Sequence, residues 1–379
     1  MITDVKTTQG GTGQSTSSPD TKSAGVPQNP FPKASLLHTE PANYDQTVTL
    51  GAGTTVAPII QIPAYGFIRG VWLKCILAGS GGTPALAGDN PWSSITDITL
   101  QEPNGMPIFQ VSGNGGYNAY LVNKYGGYAG AGQNEPKLWQ GYTAAAAAST
   151  FWLYVPIELN VRDALGALPN QNSGAMFQLR IGVNNLAGSF GGTPPTSGTL
   201  RIQAFVDAWD QPAPAVNGAV NQVTPPAVNT TQYWTQQSIP FNTGQNVLRL
   251  PRVGNWIRNL ILVLRDGSGV RTAAALPAQL TLSVDAQPVD IVDTTLWAVR
   301  QSRRGRYFGT IDTAGAQDTG VFVWDLCHDW NGVYGFETRN QWLETATSTR
   351  LEISGNFGAA GTLTVLTNDV ILDDNVFLG

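Results

Sequence analysis

One segment of the chain occurs twice. Gln61 to Cys75 reads QIPAYGFIRGVWLKC, and Arg249 to Leu264 reads RLPRVGNWIRNLILVL. In each, an aliphatic residue and a proline (Ile62-Pro63, Leu250-Pro251) lead to a glycine, Gly66 or Gly254. Phe67-Ile68-Arg69 follows in the first and Trp256-Ile257-Arg258 in the second, and each runs into an apolar strand, Val71-Trp72-Leu73 or Leu260-Ile261-Leu262. Fainter echoes keep the same order. Ile98-Thr99-Leu100 returns as Leu280-Thr281-Leu282, with a proline after each (Pro107, Pro288). Phe151-Trp152-Leu153-Tyr154 returns as Val321-Phe322-Val323-Trp324, and Gly198-Thr199-Leu200-Arg201-Ile202 as Gly361-Thr362-Leu363-Thr364-Val365. A chain that repeats its strands in one order is read as an internal duplication.

A length of 379 residues favours two such units, because single hydrophobic cores stop growing before that size. Only 12% of residues are charged, well below the usual share, while Gly (43), Pro (24) and Trp (11) are abundant. That mixture suits short strands, turns and broad uncharged surfaces that face other protein. A net charge of −5 argues against a nucleic-acid-binding face, and no sequence-specific nucleic-acid binding is expected. Cys75 and Cys327 make no metal or disulfide framework, although one bridge between them is open. No basic segment precedes an apolar run at the N-terminus, and no run reaches the ~18 apolar residues of a membrane helix. The expectation is a soluble product that assembles in the cytoplasm.

The chain divides into residues 1–43 as a flexible N-terminal arm, 44–210 as a first module, 211–229 as a Pro- and Ala-rich linker, and 230–379 as a second module with a C-terminal tail. The arm balances Lys6, Lys22 and Lys33 against Asp4, Asp20 and Glu40, so it is not a basic arm for nucleic acid. It is read either as a disordered tail or as a segment that orders on a neighbouring subunit. Pro103-Asn104-Gly105 signals a hairpin. Gly113 to Ser149 is the longest irregular stretch and carries Tyr117, Tyr120, Tyr125, Tyr128, Trp139 and Tyr142. Each module holds about eight candidate strands and no helix period, so the fold expected is all-β: two tandem eight-stranded antiparallel jelly-roll sandwiches. A lipocalin-like barrel or an immunoglobulin-like sandwich is the alternative. Leu260 to Leu264 and Phe151 to Val155 are apolar at both parities, which predicts that their outer faces are covered by the sister module or by another subunit.

The search for chemistry is short. His38 lies in the arm, and His328 lies in Asp325-Leu326-Cys327-His328-Asp329, where a strand would send Cys327 and Asp329 to one face and His328 to the other. Asp373-Asp374 is read as a solvated end, and Asp285, Asp290 and Asp293 lack the spacing of a calcium loop. Arg300, Arg303, Arg304 and Arg306 form the one basic cluster, read as a contact with protein. Gly113-Asn114-Gly115-Gly116 lacks the Lys-Ser/Thr and the following helix of a phosphate loop. The aromatic residues could stack on sugars or anchor neighbouring subunits. No catalytic, cofactor-binding or metal-ligating residue is assigned, and no enzyme is expected.

With its duplicated strand modules laid out, the chain resembles the double jelly-roll major capsid proteins of tectivirus-like phages and other icosahedral double-stranded DNA viruses. The resemblance covers Tyr44 to Asp369 and rests on module order, size and composition, not on a short motif. It implies two jelly rolls side by side, a homotrimer with a pseudo-hexagonal outline, and a virion shell tiled by such trimers together with minor capsid proteins. Shells of this family often enclose a membrane; Met1 to Glu40 shows no amphipathic helix of the kind some relatives place beside theirs. By the same resemblance, Gly113 to Ser149 and Arg300 to Gly320 are expected as exposed turrets or intersubunit contacts. Two rival functions remain: a phage tail or receptor-binding protein that holds a host glycan, and a two-sandwich carbohydrate-active enzyme, which would need paired carboxylates in a cleft.

Overall fold

A computed structural model describes residues 28–85, 89–128, 148–226, 228–293, 319–327, 329–330 and 334–371. The first module is built from β1 (Leu37–Thr49), β2 (Phe67–Ser80), β3 (Ile95–Gln101), β4 (Pro107–Val111), β5 (Ala148–Pro156), β6 (Gln178–Val183) and β7 (Ser197–Trp209). One of its sheets runs β5–β2–β7–β1. The facing sheet runs β6–β3–β4, with the short strands Thr55–Val56 and Ile60–Gln61 on the far side of β6. The second module comprises β8 (Thr231–Phe241), β9 (Gly244–Leu250), β10 (Trp256–Asp266), β11 (Gln279–Val284), β12 (Gln287–Asp293), β13 (Val321–Asp325), β14 (Leu351–Phe357) and β15 (Gly361–Ile371). Its sheets run β13–β10–β15–β8 and β9–β14–β11–β12. The two modules have the same strand order, with β9 in the place of the two short strands that Pro58 interrupts. Both are jelly rolls, as expected.

The repeated segment builds the same corner twice. Gly66 and Gly254 take positive φ (46° and 100°), the left-handed conformation that glycine adopts without steric cost. At Gly66 a Cβ would also collide with the carbonyl oxygen of Trp209. The chain then enters β2 or β10, the central strand of each module. A β-bulge follows at once in both: the register shifts between Asp207 and Ala208 opposite β2, and between Ile257 and Asn259 in β10. The hairpins β3–β4 and β11–β12 are likewise bulged at one place. Gln101 opposes Pro107 and Leu100 opposes Phe109, just as Ser283 opposes Pro288 and Leu282 opposes Asp290.

Several expectations need correction. The arm does not end at residue 43: β1 begins at Leu37, and Gln28–Asn29 pairs in parallel with Ala219–Asn221 of the expected linker, which itself hairpins onto Ala215–Val216. Phe31 is the reason. Its ring is fully buried, edge-on to Phe67 (5.2 Å) and Trp209 (6.1 Å), and it pins the arm to the module's end. The stretch after β4 is not irregular throughout, because Gly115–Gly126 forms helix α1. Every residue of α1 is buried, so Tyr117, Tyr120 and Tyr125 are core residues and neither turret nor sugar platform. Its first turn lies flush against the backbone, where a Cβ on Gly116 would strike the carbonyl oxygen of Trp92. Residues 129–147 of that stretch, with Trp139 and Tyr142, lie outside the described residues.

The second module has its own apolar core, containing Leu260, Leu262, Leu264, Trp324 and Ile353. The opposite face of the same strands, Ile261, Val263, Val321, Val323 and Leu366, belongs to one cluster with Tyr117, Tyr120 and Leu121 of α1 and the first module's core. The double-sided apolar pattern of β10 therefore has a direct cause: one face closes the second sandwich, and the other is buried against the sister module.

Candidate functional site: the seam and its uncovered counterpart

The arginine of each repeated segment sits on the bulge and is aimed inward. Arg69 Nε donates to Glu158 Oε2 (2.7 Å) and Nη2 donates to the Tyr334 hydroxyl (2.8 Å), with Asp207 Oδ2 3.4 Å from Nη1. Trp209 Nε1 donates to the other Glu158 oxygen at 2.6 Å. Arg258 pairs with Glu337 through Nε and Nη2, and Nη1 donates to Asn368 Oδ1 (3.0 Å) and Gln232 Oε1 (3.3 Å). Both carboxylates come from the chain that leaves the strand beside the central one, β5 or β13. Burial pushes the Glu158 carboxyl up from 4.5 to about 7, although Arg69 and the hydrogen bonds pull it down. Burial is the largest influence on Arg258 and opposes its charge, but Glu337, Tyr128 and Cys327 together outweigh it and the guanidinium pKa rises. Both pairs are buried and tie separate segments of the chain together, which makes them structural clamps.

The clamps lie beside the seam between modules. Strand β4 of the first module pairs in parallel with β8 of the second, Phe109 opposite Trp234 and Gln110 opposite Thr235, so one ten-stranded sheet runs through both. The Gln236 side chain continues the ladder: Ser112 N–H donates to its Oε1 and its Nε2 donates to the Ser112 carbonyl, both at 2.9 Å. At one end of the seam, Asp89 of the first module accepts from Arg265 and Arg271 of the second, each at 2.6 Å, and Arg271 lies 4.6 Å from the Tyr117 ring. At the other end Gln232 Nε2 donates to the Glu158 carbonyl (2.7 Å), and Tyr128 packs 4.8 Å from Tyr334. A polar cleft of about 490 Å³ opens beside Ser112, Asn118, Gln236 and Thr364. Asp266 is the one carboxylate among the described residues that line it.

The first module carries the same surfaces, more open to solvent among the described residues. Its strand β1 corresponds to β8 and forms the end of its sheet. Trp72, Phe205 and Trp152 project from the outer face of β2, β7 and β5, at the places held by Ile261, Leu366 and Val321 in the second module. Those three counterparts are fully buried by the seam, whereas Trp152 is 38% exposed. Trp152 packs 5.8 Å from Phe205 and 6.4 Å from Trp72, with Lys74 Nζ 5.6 Å from its ring. The sequence predicts a covered outer face for Phe151 to Val155, but the grouping of Trp152 with Trp72 and Phe205 of neighbouring strands is visible only in the structure.

The sequence-level candidates scatter. His38 lies on β1, not in a flexible arm, partly buried and 3.0 Å from Asp210. β13 ends at Asp325, whose side chain accepts from the Cys327 amide, so Leu326 and Cys327 do not continue the strand. Cys75 and Cys327 are buried free thiols in different clusters, and no bridge joins them. Asp285 occupies the β11–β12 turn, where the amide of Thr349 holds its carboxyl below the usual range. Asp290 accepts from Trp324 Nε1 at 2.8 Å. No group of three potential metal ligands occurs among the described residues. A helix does follow Gly113-Asn114-Gly115-Gly116, but it is buried at its first turn. Arg300, Arg303, Arg304, Arg306, His328, Asp373 and Asp374 lie outside the described residues. No described helix is long and apolar enough to cross a membrane.

No family model matches the chain, and no curated protein matches it by sequence. Solved structures do match. The crystal structure of the STIV MCP superposes with a TM-score of 0.62 at 13% identity, covering 91% of this chain and 99% of that one. The major capsid protein P2 from bacteriophage PM2 matches with a TM-score of 0.50 at 10% identity, covering 90% and 99%. The Faustovirus major capsid protein matches with a TM-score of 0.50 at 9% identity, covering 89% and 90%. At these identities the likeness concerns the fold, and the chain has the double jelly-roll fold of these capsid proteins.

Proposed function

We propose that the chain is the major capsid protein of an icosahedral virus, a structural protein with no catalytic step. The observation that carries this reading is the welding of two duplicated jelly rolls by one continuous sheet into a unit whose fold spans nearly all of the STIV MCP. On this reading the subunit forms a pseudo-hexagonal homotrimer. Trimers tile the virion shell beside minor capsid proteins, after assembly in the host cytoplasm. Tiling needs wide interfaces with little charge to desolvate, and a chain with 12% charged residues supplies them. Light scattering of the purified protein tests this, with negative-stain images of the same fraction. A mass three times 40.3 kDa, about 121 kDa, with a six-sided outline is expected. A monomer at every concentration would overturn the reading.

A further inference from the structure

We propose that the polar cleft at the seam is a binding site for a neutral sugar, either free or at the end of a glycan chain. The inference goes beyond the capsid reading, because it gives the joined modules a ligand site that neither has alone. The end of β4 and the start of α1 supply one wall of the cleft. The other wall comes from the second module: β8, the turn after β10, and the start of β15. Its volume of about 490 Å³ falls within the range of small-molecule sites, which form preferentially where domains meet.

Its polar groups are set before any ligand arrives. The Ser112 amide donates to Gln236 Oε1 and the Ser112 carbonyl accepts from Nε2, which fixes the orientation of the Gln236 amide. Asn118 Nδ2 donates to the same Oε1 at 2.8 Å, so Asn118 is oriented in turn. Asn118 lines the cleft and is 2% exposed, and its Oδ1 has no hydrogen-bond partner. A buried acceptor without a donor is costly, and a ligand hydroxyl supplies one. Asn114 is a second, independent sign. Asparagine is favoured at a helix N-cap because its side chain accepts from the first turn. The Asn114 side chain occupies that place on α1 without making the bond, and it lines the cleft.

Charge selects the class of ligand. Arg265 is the one basic side chain of the lining, and it is already engaged: Nη1 donates to the Gly269 carbonyl (3.0 Å) and Nη2 to Asp89 (2.6 Å). Asp266 Oδ1 accepts from the amides of Ser268 (2.8 Å) and Val270 (3.0 Å), while Oδ2 accepts from nothing among the described residues. A phosphate or carboxylate would meet Asp266 with no uncommitted cation to hold it. A divalent cation would find a single carboxylate beside a guanidinium, too little for an oxygen-ligand site. A sugar fits, because its hydroxyls both donate and accept. They match a carboxylate oxygen, two side-chain amides and the surrounding hydroxyls, with Phe241 as the one aromatic surface for its C–H groups.

Saturation-transfer difference NMR on the full chain tests this. The probes are the methyl glycosides of glucose, galactose and mannose with N-acetylglucosamine, and the disaccharides lactose, maltose and cellobiose. Transfer to at least one of them is expected. Gly267 lines the cleft, has no left-handed backbone, and a Cβ there meets nothing within 4 Å. Gly267→Trp therefore plugs the cleft from its rim without touching the Gln236–Asn118 network, and is expected to abolish transfer. Asp266→Asn keeps the shape of the side chain and is expected to raise the Kd about tenfold, by loss of a charge-assisted hydrogen bond. Gly53→Trp makes the same change at an open, exposed position of the first module and is expected to bind as wild type does. A preference for the disaccharides assigns the end of a chain, and a preference for the monosaccharides a free residue. No transfer from any probe, or transfer that survives Gly267→Trp, would overturn the site. Light scattering of the same samples reports the capsid reading separately, so either can fail alone.

Discussion

Arg69 and Arg258 show what a repeated residue can and cannot reveal. Their recurrence after a proline, a glycine and an aromatic–isoleucine pair is visible in the sequence, but their partners are not. Glu158 follows β5 closely, whereas Glu337 lies well beyond the end of β13, so no shared spacing announces the pair. The Glu158 clamp has a pH signature. Burial raises its carboxyl from 4.5 to about 7 in the folded protein, so the proton is held more tightly folded than unfolded. That contribution to stability is fully present below about 4.5 and is lost as pH rises through about 7. Arg69 matters most once the proton has left. Replacing it by methionine should cost roughly 3–5 kcal/mol at pH 8, where a bare carboxylate would remain buried, and distinctly less at pH 5. Denaturant unfolding of wild type and Arg69→Met at the two pH values measures this; an equal loss at both would show that the guanidinium acts only by packing.

At the scale of elements, strands were legible and α1 was not. A helix that is buried all round has no polar stripe, so Tyr117 to Tyr125 carries no 3.6-residue signal. Alternation also failed to set register where both faces are apolar. The sequence echo aligns Tyr154 with Trp324, but Gly70 opposes Pro156 as Asn259 opposes Asp325, so Val155 occupies the place of Trp324. Likewise Ile202, not Leu200, stands where Leu363 does, a shift of two that keeps the inward face. What α1 contributes can be measured at Asn123. Its side-chain amide donates to the Tyr154 carbonyl (2.6 Å), and its carbonyl accepts from the Tyr154 amide (2.7 Å). The helix thus caps the edge of β5 as a neighbouring strand would. Asn123→Ala strands two buried backbone groups and should cost about 1–3 kcal/mol. Hydrogen exchange should quicken at the Tyr154 amide; protection equal to wild type would mean that the edge is sealed by other contacts.

The whole molecule is two modules by strand order and one by energetics. Low charge and double-sided apolar strands already told that some outer faces are covered, but not which partner covers each. The structure divides them: the β10 face is buried within the chain, and the Trp152 face is left partly open. Because Ile261, Val263, Val321, Val323 and Leu366 lie in one cluster with the first module's core, neither module can open without exposing the other. The ten-stranded sheet adds backbone hydrogen bonds across the same boundary. Interfaces between domains of one chain are usually smaller and more polar, and leave the domains free to move. Here calorimetry of the full chain should give a single transition whose calorimetric and van't Hoff enthalpies agree. Residues 230–379 expressed alone should associate and bind a hydrophobic dye, because the face of β10 then meets water. Restoring alternation with Ile261→Thr and Val263→Thr should return that fragment to solution. If the unaltered fragment were soluble and monomeric, with its own sharp transition, the seam would be a docking of independent domains and not a shared core.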